Sequence, residues 1–208
     1  MFRIWFLYSR YPHTLRLERI RRPYQHSNCG SEWHGSCFYS HNNNRGADIT
    51  GKIVLSYFDG EESLSKALAD TVHESGARLG LVSLEAPLIS NIDIWRNIAL
   101  IIQYHRNISE RRARDVAIQC LRRYGLEKLA DARTKALKEE ERFYVMLIRA
   151  AMVSDAIIVI DRPLKIVHSL ESASYIFDAL EKIDDLYTKC HIFDYTWNKG
   201  RYGTNYDS

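Results

Sequence analysis

From Gly51 onward, short apolar runs alternate with longer segments of helical spacing, and this alternation constrains the fold of the 208-residue chain more than any other feature. Residues 52–58 read as a buried strand closed by a turn at Asp59-Gly60. Residues 62–74 carry Leu64, Ala67, Leu68 and Val72 at helical intervals, and Gly76 stops that helix. A second short strand is expected at 78–84, then a helix over 92–104 that is apolar nearly all round. Ser109 is placed to cap a third helix with Ala113, Val116, Ala117, Cys120, Leu121 and Tyr124 on its inner face, and Gly125 stands at its end. A fourth helix is expected over 138–153, then a β-branched strand at 156–160 ending in Asp161. A helix over 169–184, a short strand at 190–193 and a polar, frayed tail from Asn198 complete the reading. Strands separated by whole helices pair in parallel, so the pattern predicts an α/β domain with a largely parallel sheet.

Composition agrees with a folded chain: 46% hydrophobic and 26% charged. No apolar run approaches the ~18 to 20 residues that span a bilayer. The opening MFRIWFLYSR is apolar, but arginines interrupt it and it lacks a long apolar region and a cleavage site, so it does not read as a signal peptide. The net charge of +3 is unevenly placed, with seven arginines against three acids in residues 1–50 and a near-neutral remainder. Cys29, Cys37, Cys120 and Cys190 are too scattered for a disulfide scaffold, and reduced thiols in a cytosolic setting are the expectation.

Three stretches carry a family resemblance. LGLVSLEAPLISNIDIWRNIAL (79–100) looks like the Q-loop strand and following segment of the ATP-binding subunit of ABC transporters. ISERRARDVAIQCLRRYGLEKLA (108–130) is similar to the helical-subdomain pattern of that family. LKEEERFYVMLIRAAMVSDAIIVIDRP (137–163) has the length and spacing of its signature helix and Walker B strand, with Arg149, Ala150, Asp161 and Pro163 at matching places. The texture is nearest to the ATPase subunit of Mce-type lipid transport systems. The resemblance implies a P-loop NTPase-like core with an α-helical subdomain at about 92–140, within a domain spanning 51–208, preceded by a short irregular or β segment over 1–50.

The residues that the resemblance would make catalytic are largely replaced. The family's phosphate loop needs glycines whose N–H groups wrap phosphate, and a lysine between the charges. Here the matching turn reads Asp59-Gly60-Glu61-Glu62-Ser63-Leu64-Ser65-Lys66. One glycine remains, two carboxylates stand where phosphate would lie, and Lys66 is displaced into the helix, where it reads more simply as a solvated lysine. At the signature loop Lys138-Glu139-Glu140 replaces Ser-Gly-Gly, and acids in a first helical turn compensate the dipole that would draw an anion. Asp161 keeps the Walker B place and could hold Mg²⁺ through water. The catalytic glutamate is replaced by Arg162, which cannot polarise an attacking water. Leu84 and Glu85 stand at the Q-loop place, about His168 at the D-loop place, and Phe193-Asp194-Tyr195 at the switch place, with His191 inside the last strand as an ordinary strand histidine.

The reading is a catalytically degenerate ABC-type nucleotide-binding subunit with a structural or regulatory role in a membrane transport complex. The resemblance implies ATP and Mg²⁺ as the cofactors of any residual site, formed by Gly60, Ser63, Ser65, Lys66 and Asp161. It implies an inner-membrane permease as partner, met through Pro87, Leu88, Ile89, Ile92 and Trp95, although Ile92 and Trp95 could equally fill the core. It further implies a dimer with itself or with an active ABC ATPase, on the cytoplasmic face of the inner membrane. Two alternatives stand beside it. One is a diverged but active ABC ATPase in which Lys66 and Asp161 still serve. The other is a free-standing protein binding metal, lipid or RNA through residues 1–50. There, Cys29, His34, Cys37 and His41 offer Zn²⁺-type ligands, at a spacing that matches no standard finger. The basic, aromatic start (Arg16, Arg19, Arg21, Arg22, Tyr11, Tyr24, Trp33) suits an anionic partner, but nucleic acid is not the expected one.

Overall fold

The computed structural model describes residues 51–169 and 172–203. The N-terminal segment, including Cys29, His34, Cys37 and His41, lies outside the described residues. The described strands form one parallel sheet in the order β1-β4-β3-β2. These are β1 (Ile53–Phe58), β2 (Leu79–Val82), β3 (Ala156–Asp161) and β4 (Tyr187–Tyr195). The parallel α/β class expected from the alternation is thus the one observed. Five helices join them: α1 (Glu61–Ser75), α2 (Ile94–Arg106), α3 (Glu110–Arg122), α4 (Glu139–Ala151) and α5 (Ser174–Glu181).

Strand periodicity sorts the sheet into two faces. Ile158 and Ile160 of β3 and Cys190 and Ile192 of β4 point into the larger core, shared with the apolar faces of α2, α3, α4 and α5. The intervening Val159, Phe193 and Tyr195 face the other way and pack on Leu64 and Leu68 of α1. The two central strands are therefore covered on both sides, which explains why β3 is a continuous apolar run. Gly80 in β2 permits a close approach of α4 to the sheet. A Cβ there would lie 2.3 Å from the carbonyl oxygen of Ala150, so only glycine lets α4 rest on β2 at this distance.

The helix ends follow local chemistry. α1 begins after Gly60, carries Glu61 and Glu62 in its first turn, and ends at Gly76 with φ +54. The Ser109 hydroxyl accepts from the Arg112 N–H and caps α3. Beyond α3, Gly125 at φ +71 donates to the Arg122 carbonyl while Leu126 donates to that of Leu121, a Schellman termination. Buried Asn97 in α2 ties the preceding loop down. Its Oδ1 accepts from the Ile89 N–H at 2.7 Å, and its Nδ2 donates to the Ile89 and Asp93 carbonyls.

Three expectations need correction. The last helix covers only Ser174–Glu181, because the Ala173 N–H is spent on the Arg201 carbonyl and a 3₁₀ turn at Asp184–Leu186 follows. The last strand is nine residues long: Thr188 and Lys189 read as loop residues but lie in β4, Lys189 in register with Ile157 and the Thr188 hydroxyl bonded to the Ala156 carbonyl at a bulge. Of the tail expected to fray from Asn198, residues 198–203 are structured, and 204–208 lie outside the described residues. A 3₁₀ helix at Thr196–Arg201 leads to Tyr202, which is 4% exposed and donates from its hydroxyl to Asp194 at 2.6 Å.

Candidate functional site

In an open parallel sheet, ligands are met at the carboxyl ends of the strands. Here that rim is formed by Ser83 beyond β2, Asp161 and Arg162 at β3, Tyr195 at β4, and Asp59 to Glu61 between β1 and α1. These side chains are bonded into one network. Asp161 is buried and accepts from the Ser83 hydroxyl at 2.9 Å. It also accepts from Nε and Nη2 of Arg162 at 2.7 and 3.0 Å, a two-pronged grip on adjacent residues. The remaining Nη1 of Arg162 reaches both carboxylate oxygens of Glu61, at 2.9 and 2.8 Å. The Tyr195 hydroxyl donates to Glu61 and receives a long contact from Nη1. The hydrogen bond from Tyr195, with the charge of Arg162, outweighs desolvation and holds the Glu61 carboxyl below its usual range. Hydrogen bonds to Asp161 lead the opposite effect on Arg162, raised above the ordinary arginine value.

Backbone geometry serves the same cluster. Arg162 sits in the left-handed region at φ +47, which costs a non-glycine residue about 1–2 kcal/mol. Its N–H is bonded to the Phe193 carbonyl at 2.8 Å, and its guanidinium is fixed by two carboxylates. Over-determination of this kind is what keeps a strained residue in place.

The residues expected at a phosphate cradle do not form one. Gly60 is extended at φ −152, and a Cβ added there would meet open space, so nothing approaches it closely enough to require glycine. The Ser63 hydroxyl donates to the Gly60 carbonyl and that of Ser65 to Glu61, so both serve the first turn of α1. Lys66 is exposed on α1. Each oxygen of Asp161 already has a partner among Ser83 and Arg162. As placed, these side chains do not fit a magnesium–triphosphate group. Among the described residues, no group of three or more His, Cys, Asp or Glu side chains is arranged to hold a metal ion.

The other expected positions are equally committed. Glu139, in the first turn of α4, accepts from the backbone N–H groups of His168 and Ser169 at 3.0 and 3.3 Å, so a carboxylate again takes up donors that could serve an anion. Glu141 accepts from the Lys138 N–H and caps α4. His191 is half-buried in β4, stacked on Phe193, and its pKa is lowered by burial. Buried Asp194 accepts from the Tyr195 N–H, Asn198 Nδ2 and the Tyr202 hydroxyl and so ties the C-terminal turn to the sheet. Arg149 donates to the Pro87 and Ala86 carbonyls, and its burial lowers its pKa to about 10.

Of the expected partner contacts, Leu88 and Trp95 are 8% and 4% exposed and fill the larger core, because the Asn97 anchor and α2 turn them inward; they are not surface residues. Pro87 and Ile89 are exposed and Ile92 is half-buried. The sequence placed Glu61 at the phosphate-loop turn and Tyr195 at the switch place but not their bonding to Arg162, and it missed Ser83; no spacing signal links the three, which strand order brings together. Beside the cluster opens a cleft of about 450 Å³ lined by Glu61, Tyr195, Lys165, Trp197, Asn198 and Arg201. Trp197 lies flat on Tyr195 at 4.1 Å, and Lys165 sits over the Tyr195 ring at 5.1 Å.

No protein-family model matches the chain, and no curated protein matches it. Among solved structures, the dimeric structure of MJ0796, a bacterial ABC transporter cassette, is similar at 20% identity and a TM-score of 0.48, covering 62% of this chain and 57% of its own. A dimeric post-hydrolysis state of the same cassette, bound to ADP and Pi, is similar at 20% identity and a TM-score of 0.45, covering 67% of this chain and 61% of its own. The match thus spans about three fifths of the length of these structures.

Proposed function

We propose that the chain is a nucleotide-binding-type subunit of a membrane transport complex whose own site does not hydrolyse ATP and whose role is structural or regulatory. The observation that carries this reading is the Arg162 clamp. At the rim where phosphate and metal would meet, Arg162 joins Asp161 to Glu61 and leaves two carboxylates facing one cation. A triphosphate entering there meets like charges a few Å away, a repulsion of about 4 kcal/mol per close pair at intermediate dielectric. A guanidinium at the position after Asp161 stays protonated and cannot serve as a general base.

The resemblance in the sequence supports assembly with a permease at the cytoplasmic face of the inner membrane, and pairing with a second cassette, either a copy of this chain or an active ATPase. Exposed Ile89, held on α2 by Asn97, and exposed Pro87, whose carbonyl accepts from Arg149, with half-buried Ile92, form the docking segment in this reading. No helix among the described residues is long and apolar enough to cross a membrane.

Phosphate release from ATP by the purified full chain is the decisive measurement. The expected rate is indistinguishable from background and unchanged in Asp161→Ala. Turnover that disappears in Asp161→Ala overturns the proposal in favour of an active, diverged ATPase.

A further inference from the structure

The sheet ends in two edges, β1 and β2, and they are not alike. β2 is four residues long and carries Gly80 beneath α4. β1 is six residues long, reads IVLSYF, and contains no charge, proline or glycine. Its register with β4 runs unbroken from Ile53 opposite Cys190 to Phe58 opposite Tyr195, with no bulge to twist the edge away. None of its six side chains is fully buried, and Val54 is 36% exposed. Among the described residues β1 pairs with β4 alone. Natural edge strands are blunted by a lysine, a proline or a bulge, and an apolar edge without these is a template for another strand.

The hydrogen-bond phase of β1 fixes which groups face outward. The Lys52 carbonyl accepts from the Cys190 N–H at 2.8 Å. In a parallel ladder alternate residues spend both backbone groups on one neighbour, so Lys52, Val54 and Ser56 serve β4. The N–H and C=O groups of Ile53 and Leu55 therefore point to the open side. The strand is also bounded by opposite charges, Lys52 before it and Asp59 after it. Lys52 Nζ donates to the Asp184 carbonyl and Asp59 accepts from the Thr196 hydroxyl, and neither of these partners carries a charge.

We propose that β1 is the docking edge for a second copy of this chain, whose own β1 adds antiparallel across a two-fold axis at Leu55 and joins the two sheets into one. Outward-facing residues must meet outward-facing residues, so Leu55 lies opposite the partner's Leu55, and Val54 opposite the partner's Ser56. That register brings each Lys52 to within one residue of the partner's Asp59, whereas a parallel arrangement joins like ends. The contact uses the same patch on both copies and closes at two, which removes the edge from open-ended addition. Edge pairing is independent of the ATP site: ATP turnover leaves it untouched, and a monomeric chain leaves the blocked rim as it is.

The test is the mass of the full-length protein by sedimentation equilibrium over a range of concentrations, for wild type, Val54→Lys, Asp59→Lys and Lys52→Glu/Asp59→Lys. A monomer–dimer equilibrium is expected for the wild type. Val54→Lys sets a solvated ammonium at the seam and is expected to raise the dissociation constant about tenfold. Asp59→Lys places like charges at both ends and is expected to weaken the dimer about two- to fivefold, and adding Lys52→Glu is expected to recover most of that loss. A wild type that stays monomeric, or a dimer unchanged in Val54→Lys, overturns the proposal. Should Val54→Lys fold poorly, the charge pair decides: recovery in the double variant supports the antiparallel edge, and a double variant no tighter than Asp59→Lys overturns it.

Discussion

Within a single step along β3 the chain passes between two kinds of environment. The side chains of Ile158 and Ile160 are wholly buried against the helical side, in apolar contact. Asp161, the next residue, is equally inaccessible but is held by a serine, an arginine and, through the arginine, a glutamate. The first environment is close-packed and tolerates no change in volume. The second is a set of charges whose partners can be exchanged. The difference separates what keeps this protein folded from what could respond to a ligand.

Removing volume from the packed side should cost most. Phe143 is 0% exposed, edge-on to the Tyr175 ring at 5.3 Å, and Phe143→Ala is expected to lower stability by about 3–5 kcal/mol in denaturant unfolding. A loss below about 1 kcal/mol would erase the contrast between the two regions. At the rim, Arg162→Ala leaves Asp161 buried with Ser83 as its one remaining polar side-chain partner, and a loss of about 3 kcal/mol is expected at neutral pH. Because that penalty is electrostatic, adding Asp161→Asn should restore part of it. A double variant no more stable than Arg162→Ala would show that the arginine contributes by packing, as the other region does.

The smallest effect is expected at Glu61, and it should appear as pH dependence. Its carboxyl is held below the ordinary value of 4.5, chiefly by the Tyr195 hydrogen bond. The folded state therefore holds this proton less tightly than the unfolded chain. The stabilisation is fully present above about pH 4.5 and is lost as pH falls through the lowered folded value. Melting temperature against pH should fall less steeply on the acid side in Glu61→Gln than in wild type. Identical acid limbs would place Glu61 outside the network.

Much of the packed region was legible in the sequence. The 3.6-residue spacing of Leu64, Leu68 and Val72, the Ser109 cap, Gly76, Gly125 and the β-branched run before Asp161 all act locally, and local rules reach them. The ends of α5 and β4 escaped, because the Ala173 N–H bonds to Arg201 and polar Thr188 and Lys189 are recruited by pairing with β3, both decided by distant residues. The inward turn of Trp95 and Leu88 follows from Asn97, whose role as a loop anchor has no sequence signature. At the rim, the replacement of an expected glutamate by Arg162 was visible, but its pairing with Glu61, 101 residues away, was not. Charge patterns report composition at a position; they do not report which charges the topology will bring face to face.

Strand order carries a consequence for the protein's synthesis. β4 is made last, yet it lies between β1 and β3. Until residues 187–195 have left the ribosome, β1 lacks the neighbour it pairs with in the finished sheet, and the emerging chain must hold that edge open through more than a hundred residues of translation. A premature stop or a proteolytic cut ahead of Tyr187 therefore removes the keystone of the sheet and not a trim along its border. Truncated products should be cleared as unfolded chains instead of persisting as smaller stable domains.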